Sequence, residues 1–248
     1  MRTIFLLAAA GAALALSGCG KGDGEKTDGV ASGTPIAPVE APAGTRWSET
    51  VAATPAGGFV MGNPNAPLKL VEYASFTCSH CKEFAEGADE PLRAKYVDTG
   101  KVSYEFRHFV RDPLDVAASL IARCGGKDPF FPMTAQLFGN QNAMFEKVQG
   151  GGDAAYQAAM SAPPAQRLVK LAELAGLIDF AKARGIADTQ ARTCLADTGQ
   201  AEALVKANDA AVKEFNVSAT PTLILNGKVL ESAATWPALD TALREAGA

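Results

Sequence analysis

An α/β fold interrupted by an all-helical insertion is what this 248-residue chain predicts, on three observations. Strand, helix and strand follow one another over residues 68–106, and residues 113–215 are helical in pattern throughout. Residues 221–245 then return to strand, turn, strand and helix. Strand-forming sequence therefore flanks a long helical stretch, and the flanks must meet in one sheet if either is to bury its apolar face.

The first eighteen residues read as an export signal rather than as structure. Arg2 supplies a short positive start, and the apolar run from Ile4 to Leu16 is too short to span a bilayer comfortably. Leu16-Ser17-Gly18-Cys19 resembles a bacterial lipobox, in which the signal is cut before a cysteine that is then acylated; the plainer reading is an ordinary secretory signal with an unmodified Cys19. Several acyl chains on Cys19 would hold the protein at a membrane, because one chain alone binds only marginally. Residues 19–45 are rich in Gly, Asp, Glu, Thr, Ala and Pro and read as a flexible tether with a coil span of about 25–30 Å. Trp47 is the first large aromatic beyond the export signal, so the folded part is expected from residue 46.

Within it, Thr50–Thr54 and Phe59–Met61 around Pro55-Ala56-Gly57-Gly58 read as a short hairpin. The turn cluster Asn63–Pro67 leads into an apolar strand, Leu68–Ala74. A helix from about Cys78 to Tyr96 follows, with Phe84 and Leu92 facing the core and Pro91 expected to kink it. Lys101–Phe106 alternates with period two and closes the strand–helix–strand unit. Residues 46–112 thus form the first half of the α/β fold.

The insertion is expected over residues 113–215. Leu168, Leu171, Leu174, Ile178 and Ala181 recur at helical spacing and predict one helix that stops at Gly185; Asp188 is expected to cap a short helix carrying Cys194, and Ala201–Phe215 reads as another helix. The second half, residues 216–248, holds Pro221–Leu225, the Asn226-Gly227 turn, Lys228–Leu230 and a closing helix near Pro237–Glu245. Asn-Gly between two apolar runs is the strongest short hairpin signal there is.

Composition excludes several function classes. The net charge of −4 becomes −5 once Arg2 is removed with the signal, which makes nucleic acid a poor partner. No cluster of basic residues with interleaved aromatics, second spanning apolar run, phosphate-binding glycine motif or internal repeat occurs in the sequence. The five cysteines leave four after Cys19, and in an oxidising exported compartment an even remainder suggests two bridges, one at Cys78/Cys81 and one between Cys124 and Cys194. The alternative is that Cys124 and Cys194 are separate buried thiols.

Cys78-Ser79-His80-Cys81 is the motif that carries chemistry. Two thiols three residues apart, where a strand gives way to a helix, can pass between dithiol and disulfide almost in place. The first sulfur meets the unpaired N–H groups and the positive end of the helix dipole, so Cys78 is the expected nucleophile and Cys81 the resolving thiol. With two histidines in the chain and no second Cys-x-x-Cys, a zinc site is disfavoured and no metal is expected. His80 is either a solvated surface residue or, lying between the sulfurs, a partner for the thiolate.

Three segments together resemble the bacterial DsbA-like thiol:disulfide oxidoreductases, which carry a helical domain inserted into a thioredoxin fold. They are Val71–Cys81, Arg111–Asp115 with Cys124, and Val217–Leu223, and the resemblance covers most of residues 47–248. It implies a central mixed sheet flanked by helices and dithiol–disulfide exchange on cysteine-containing exported proteins that are unfolded or partly folded. It also implies a cis peptide at Thr220-Pro221 beside the cysteines, where a trans proline opening a strand is the alternative. Thr220 would border the sulfurs, and Glu72 would be the buried acid that exchanges protons with Cys81 unless it is an edge residue facing solvent. No cofactor is implied. The redox partner would be a membrane protein: a quinone-linked, DsbB-like reoxidant, or a DsbD-like reductant if the enzyme runs as a reductase or isomerase. Ser79, where many strong oxidases of the family have Pro, and Thr220 are the departures that keep the second direction open. The tether leaves no room for a dimerisation domain, so a periplasmic, membrane-anchored monomer is expected. From another class comes a non-catalytic lipid-anchored chaperone or copper(I) carrier, although the methionines are scattered.

Overall fold

The computed structural model describes residues 33–248. The export signal, Cys19 and the first part of the stretch read as tether lie outside the described residues. Residues 33–45 form no helix or strand, but they are laid along the domain rather than free of it. The Gly33 and Ile36 N–H groups donate to the carbonyls of Glu245 and Gly247 at 2.7 Å, and the Val39 N–H donates to that of Thr99 at 2.9 Å. Trp47 Nε1 donates to the Val39 carbonyl at 2.6 Å.

Six strands make one mixed sheet: β1 (Val51–Ala53), β2 (Phe59–Gly62), β3 (Leu68–Ala74), β4 (Val102–His108), β5 (Thr222–Leu225) and β6 (Lys228–Val229). Their order is β1-β2-β4-β3-β5-β6, with β3 and β4 parallel and the other pairs antiparallel. The parallel pair is the one joined through a helix, α1 (Ser79–Leu92), as the right-handed crossover rule requires of parallel neighbours. Asn226 and Gly227 have φ of 49° and 80°, the left-handed pair of a type I′ turn between β5 and β6.

Pro91 lies inside α1 and cannot donate to the carbonyl four residues back. The wider turn that follows, Arg93–Val97, is π-helical. Period-two alternation along β3 sends Leu70, Glu72 and Ala74 toward α1, and Val71 and Tyr73 to the opposite face. That opposite face is covered by α8 (Thr198–Phe215): Tyr73 and Ile224 of the sheet pack with Ala211 and Val217. Although its sequence counts it with the insertion, α8 serves as a layer of the sheet.

Between β4 and α8 lie α2 (Pro113–Cys124), α3 (Phe130–Gly139), α4 (Gln141–Met160), α5 (Pro164–Leu174), α6 (Leu177–Lys182) and α7 (Asp188–Ala196). The single helix expected through Leu168–Ala181 is two, because Gly176 has φ 71° and breaks the run. Gly185, at φ 86°, ends α6 as expected. Ala187 rather than Asp188 caps α7; Asp188 sits one position inside and receives the Arg192 guanidinium at 2.7 Å. The closing helix is α9 (Trp236–Glu245). Rings from both halves knit the insertion to the sheet: Phe130 stacks on Phe59 with centroids 4.0 Å apart, and Phe138 lies 5.0 Å from Phe76. Among the described residues no helix is long and apolar enough to cross a membrane.

Candidate active site

The strand-to-helix junction places Cys78 at the N-cap of α1, with extended φ/ψ of −97° and 121°. An extended cap residue turns its side chain back over the first helical turn, whose N–H groups have no intrahelical partner. Cys78 is 4% exposed and Cys81 is fully buried, and both are free thiols. The hydrogen bond from the Cys81 thiol does most to hold the Cys78 thiol down, to about 4; the Thr220 side chain and the N–H groups of Cys81 and His80 add to it and outweigh burial. Burial drives Cys81 the other way, far above an ordinary thiol, reinforced by the hydrogen bond it gives Cys78 and by the charge of Glu72. One sulfur is thus set up as an anion and leaving group, the other as a thiol that must be deprotonated to react.

The Thr220-Pro221 peptide is cis, and the Thr220 carbonyl accepts from Cys78 Sγ at 3.2 Å. β5 starts at the next residue, with Thr222 in register with Tyr73, so the loop is fastened to the strand that leads to the motif. A groove of about 770 Å³ runs from this loop past His80, Glu83, Phe215 and Trp236.

His80 does not place its ring between the sulfurs. The ring is turned to solvent, 75% exposed, with Nδ1 3.3 Å from the Glu83 carboxylate. Its contribution to Cys78 is through the main-chain N–H, which any residue there would supply.

Glu72 is buried, not at a solvent edge. It is 2% exposed on the α1 face of β3, and Tyr104 from the adjacent β4 donates its hydroxyl to Oε2. Burial pushes the Glu72 carboxyl up to about 7, against the pull of that hydrogen bond and with smaller pushes from Asp89 and Cys78. Oε1 has no hydrogen-bond partner among the described residues, and Glu72 is one of the residues lining a cavity of about 230 Å³, with Tyr104, Asp89 and Thr134. A carboxyl that titrates near neutrality and faces such a cavity can hold or release a proton as Cys81 needs.

Cys124 and Cys194 are joined in a disulfide, Cα atoms 5.8 Å apart, between the end of α2 and α7. The bridge lies in the insertion, away from the Cys78–Cys81 motif in the sequence.

Three site residues escaped sequence reasoning: Tyr104, Asp115 and Gln141. Tyr104 could have been found, because the alternation that predicts β4 also sets which of its side chains share a face with Glu72. Asp115 and Gln141 reach the motif loop from the insertion, 39 and 65 residues along the chain from Phe76; Asp115 ends the Arg111–Asp115 segment of the resemblance, which assigns it no role, and nothing local announces Gln141.

The thioredoxin family model matches residues 54–245. A protein-disulfide isomerase from Novosphingobium aromaticivorans has a similar structure: TM-score 0.71, 31% identity, with 75% of this chain and 94% of that one covered. Wolbachia pipientis alpha-DsbA1 is similar in fold, with TM-score 0.62, 21% identity and 78% and 92% covered. The chain belongs to the thioredoxin family, in its DsbA-like branch of disulfide oxidoreductases with a helical insertion. A Rickettsia bellii protein provisionally named a protein-disulfide oxidoreductase is 27% identical over 173 residues, covering 70% of this chain and 58% of that protein. The chain thus spans a little over half the length of the curated relatives it matches.

Proposed function

We propose that this protein introduces disulfides into exported, cysteine-containing proteins by dithiol–disulfide exchange through Cys78 and Cys81. The observation that carries this reading is the placement of the two sulfurs, Cys78 at the N-cap of α1 beside the cis Thr220-Pro221 peptide and Cys81 fully buried in the first turn, which pushes the first thiol down and the second up. A substrate thiolate attacks Cys78 of the enzyme disulfide, the bond to Cys81 breaks, and Cys81 leaves and takes a proton from Glu72. A second substrate thiolate then attacks the substrate sulfur of the mixed disulfide, and Cys78 departs as a thiolate. The substrate loses two electrons and two protons; the enzyme gains the electrons and ends with Cys78 as a thiolate and Cys81 as a thiol, one of the two protons passing through solvent to restore Glu72 and the other being released to solvent. Whatever stabilises the Cys78 anion stabilises the reduced enzyme and makes its disulfide the stronger oxidant.

Pro221 and the Thr220 carbonyl beside Cys78 suit an extended substrate segment laid against the loop before β5. Turnover needs a reoxidant, which we assign to a quinone-linked membrane protein. We place the protein in the periplasm, held at a membrane through Cys19, with the cysteine pair catalytic and Cys124–Cys194 structural.

A second direction has one observation behind it. The Novosphingobium protein that shares 31% identity is named an isomerase, and Thr220 before the cis proline fits that use. In that mode a membrane thiol donor keeps Cys78 and Cys81 reduced. Two assays separate the directions: oxidation of a reduced, unfolded substrate and reduction of insulin. Fast oxidation with slow insulin reduction supports the oxidase. If wild type and Cys78→Ala behave alike in both, the enzymatic reading fails.

A further inference from the structure

The segment Ser75–Cys78, which carries the nucleophile from β3 to α1, is neither strand nor helix, yet it is almost wholly buried. Buried main-chain groups outside regular structure must find partners elsewhere. Here they find them in the insertion. Asp115 of α2, fully buried, accepts from the Phe76 N–H at 2.8 Å and from the Ser75 hydroxyl at 2.5 Å, and it also takes the Arg111 N–H at 3.0 Å. Asp112, the cap of α2, accepts from the Thr77 hydroxyl at 2.6 Å. From the first residue of α4, Gln141 is 1% exposed and donates its amide Nε2 to two carbonyls at 2.9 Å each, those of Phe76 and of Cys78 itself.

Gln141 therefore holds the backbone of the nucleophile directly. The Cys78 carbonyl also accepts the Lys82 N–H at 3.2 Å, the first bond of α1, so one oxygen ties together the insertion, the nucleophile and the helix mouth. The aim of the sulfur at the N–H groups of His80 and Cys81 depends on the φ/ψ of Cys78, and that pair of angles has no other side-chain restraint among the described contacts.

We infer that Gln141 and Asp115 are positioning residues for the nucleophile, so that the helical insertion, besides covering the sheet, sets how strongly Cys78 is poised as a thiolate. This rests on the reading of Cys78 as the nucleophile. Neither residue touches a substrate; both act through the loop. The consequence is that the oxidising strength of the cysteine pair can be changed from the insertion with no change within residues 75–81.

The test uses the whole exported chain in its reduced form and follows the ultraviolet absorbance of the thiolate against pH. Wild type comes first: a midpoint like that of free cysteine overturns the reading of Cys78 and this inference with it, whereas a low midpoint leaves only the inference at stake. Gln141→Met keeps the side-chain volume and removes both donors. It should raise the midpoint by about one pH unit. It should also move the equilibrium with glutathione about tenfold toward oxidised enzyme, which is 29.6 mV for two electrons. Asp115→Asn, which keeps an acceptor for the Phe76 N–H, should shift both the same way by less, and it stands in if Gln141→Met does not fold. Leu171→Ala opens a cavity in the insertion core on α5, which gives the loop none of the side-chain hydrogen bonds described; it should lower the melting temperature and leave both readouts unmoved. An unchanged midpoint in the Gln141 and Asp115 variants, or an equal shift in Leu171→Ala, overturns the inference.

Discussion

The two cysteine pairs of this molecule sit in opposite surroundings, and the contrast underlies the different roles we propose for them. Cys78 and Cys81 lie three residues apart at a helix mouth as free thiols, where one sulfur is pushed down and the other up. Cys124 and Cys194 lie 70 residues apart and join two helices, with no thiolate-stabilising helix mouth at either sulfur. A bond between near neighbours restricts the unfolded chain little; one that closes a long loop restricts it a great deal. Electrostatics at the first pair and chain entropy at the second divide the work.

Replacing Cys124 and Cys194 together by Ala should break this division most visibly. Loop closure over 70 residues is worth about 4 kcal/mol in the chain-entropy account, so the melting temperature should fall by roughly 10–15 °C while substrate oxidation below the transition persists. Calorimetry on the full chain, with the oxidation assay run well below the transition, checks both halves. Loss of oxidation in the folded double variant would show that the second pair takes part in the chemistry.

Glu72→Gln sharpens the comparison by removing the buried acid that we propose serves the first pair. The Glu72 carboxyl is raised in the folded state from an ordinary 4.5 to about 7, so the stability it lends is full below 4.5 and is lost as pH rises through 7. Glutamine never ionises. The variant should therefore be more stable than wild type above pH 7, by about 3 kcal/mol, and indistinguishable at pH 4. Urea midpoints at the two pH values decide this. The same variant should slow the departure of Cys81 in substrate oxidation.

The smallest effect is expected at His80. Its ring faces Glu83 and solvent, and its service to Cys78 is a main-chain N–H. His80→Ala should move the thiolate midpoint by no more than a few tenths of a unit, about the size of a surface charge effect. A shift of a full unit would put the ring back at the sulfur.

Much of the fold was legible because local rules carried it. Alternation gave β3 and β4, Pro91 marked where α1 gives way to a π-helical turn, and Asn226-Gly227 dictated its hairpin. The break at Gly176 was invisible to periodicity, since Leu174 and Ile178 keep the same spacing whether or not a left-handed glycine separates them. The end of the tether was misjudged because residues 33–45 are held by hydrogen bonds to Thr99 and the C-terminal residues, which their polar composition does not record. At the site, Cys78, Cys81 and Pro221 stand in motifs and could be read. The direction of the His80 ring, the donor to Glu72 and the grip of Gln141 on the Cys78 carbonyl are products of tertiary packing.

The most direct test follows the rate at which the reduced protein is alkylated as pH is raised. Cys81 is buried and far too weak an acid to contribute, so with Cys19, Cys124 and Cys194 replaced by Ala the profile reports Cys78 alone. A reactive fraction that rises with a midpoint near 4 is the expected result. A midpoint of about 8.5, where free cysteine ionises, would contradict the account.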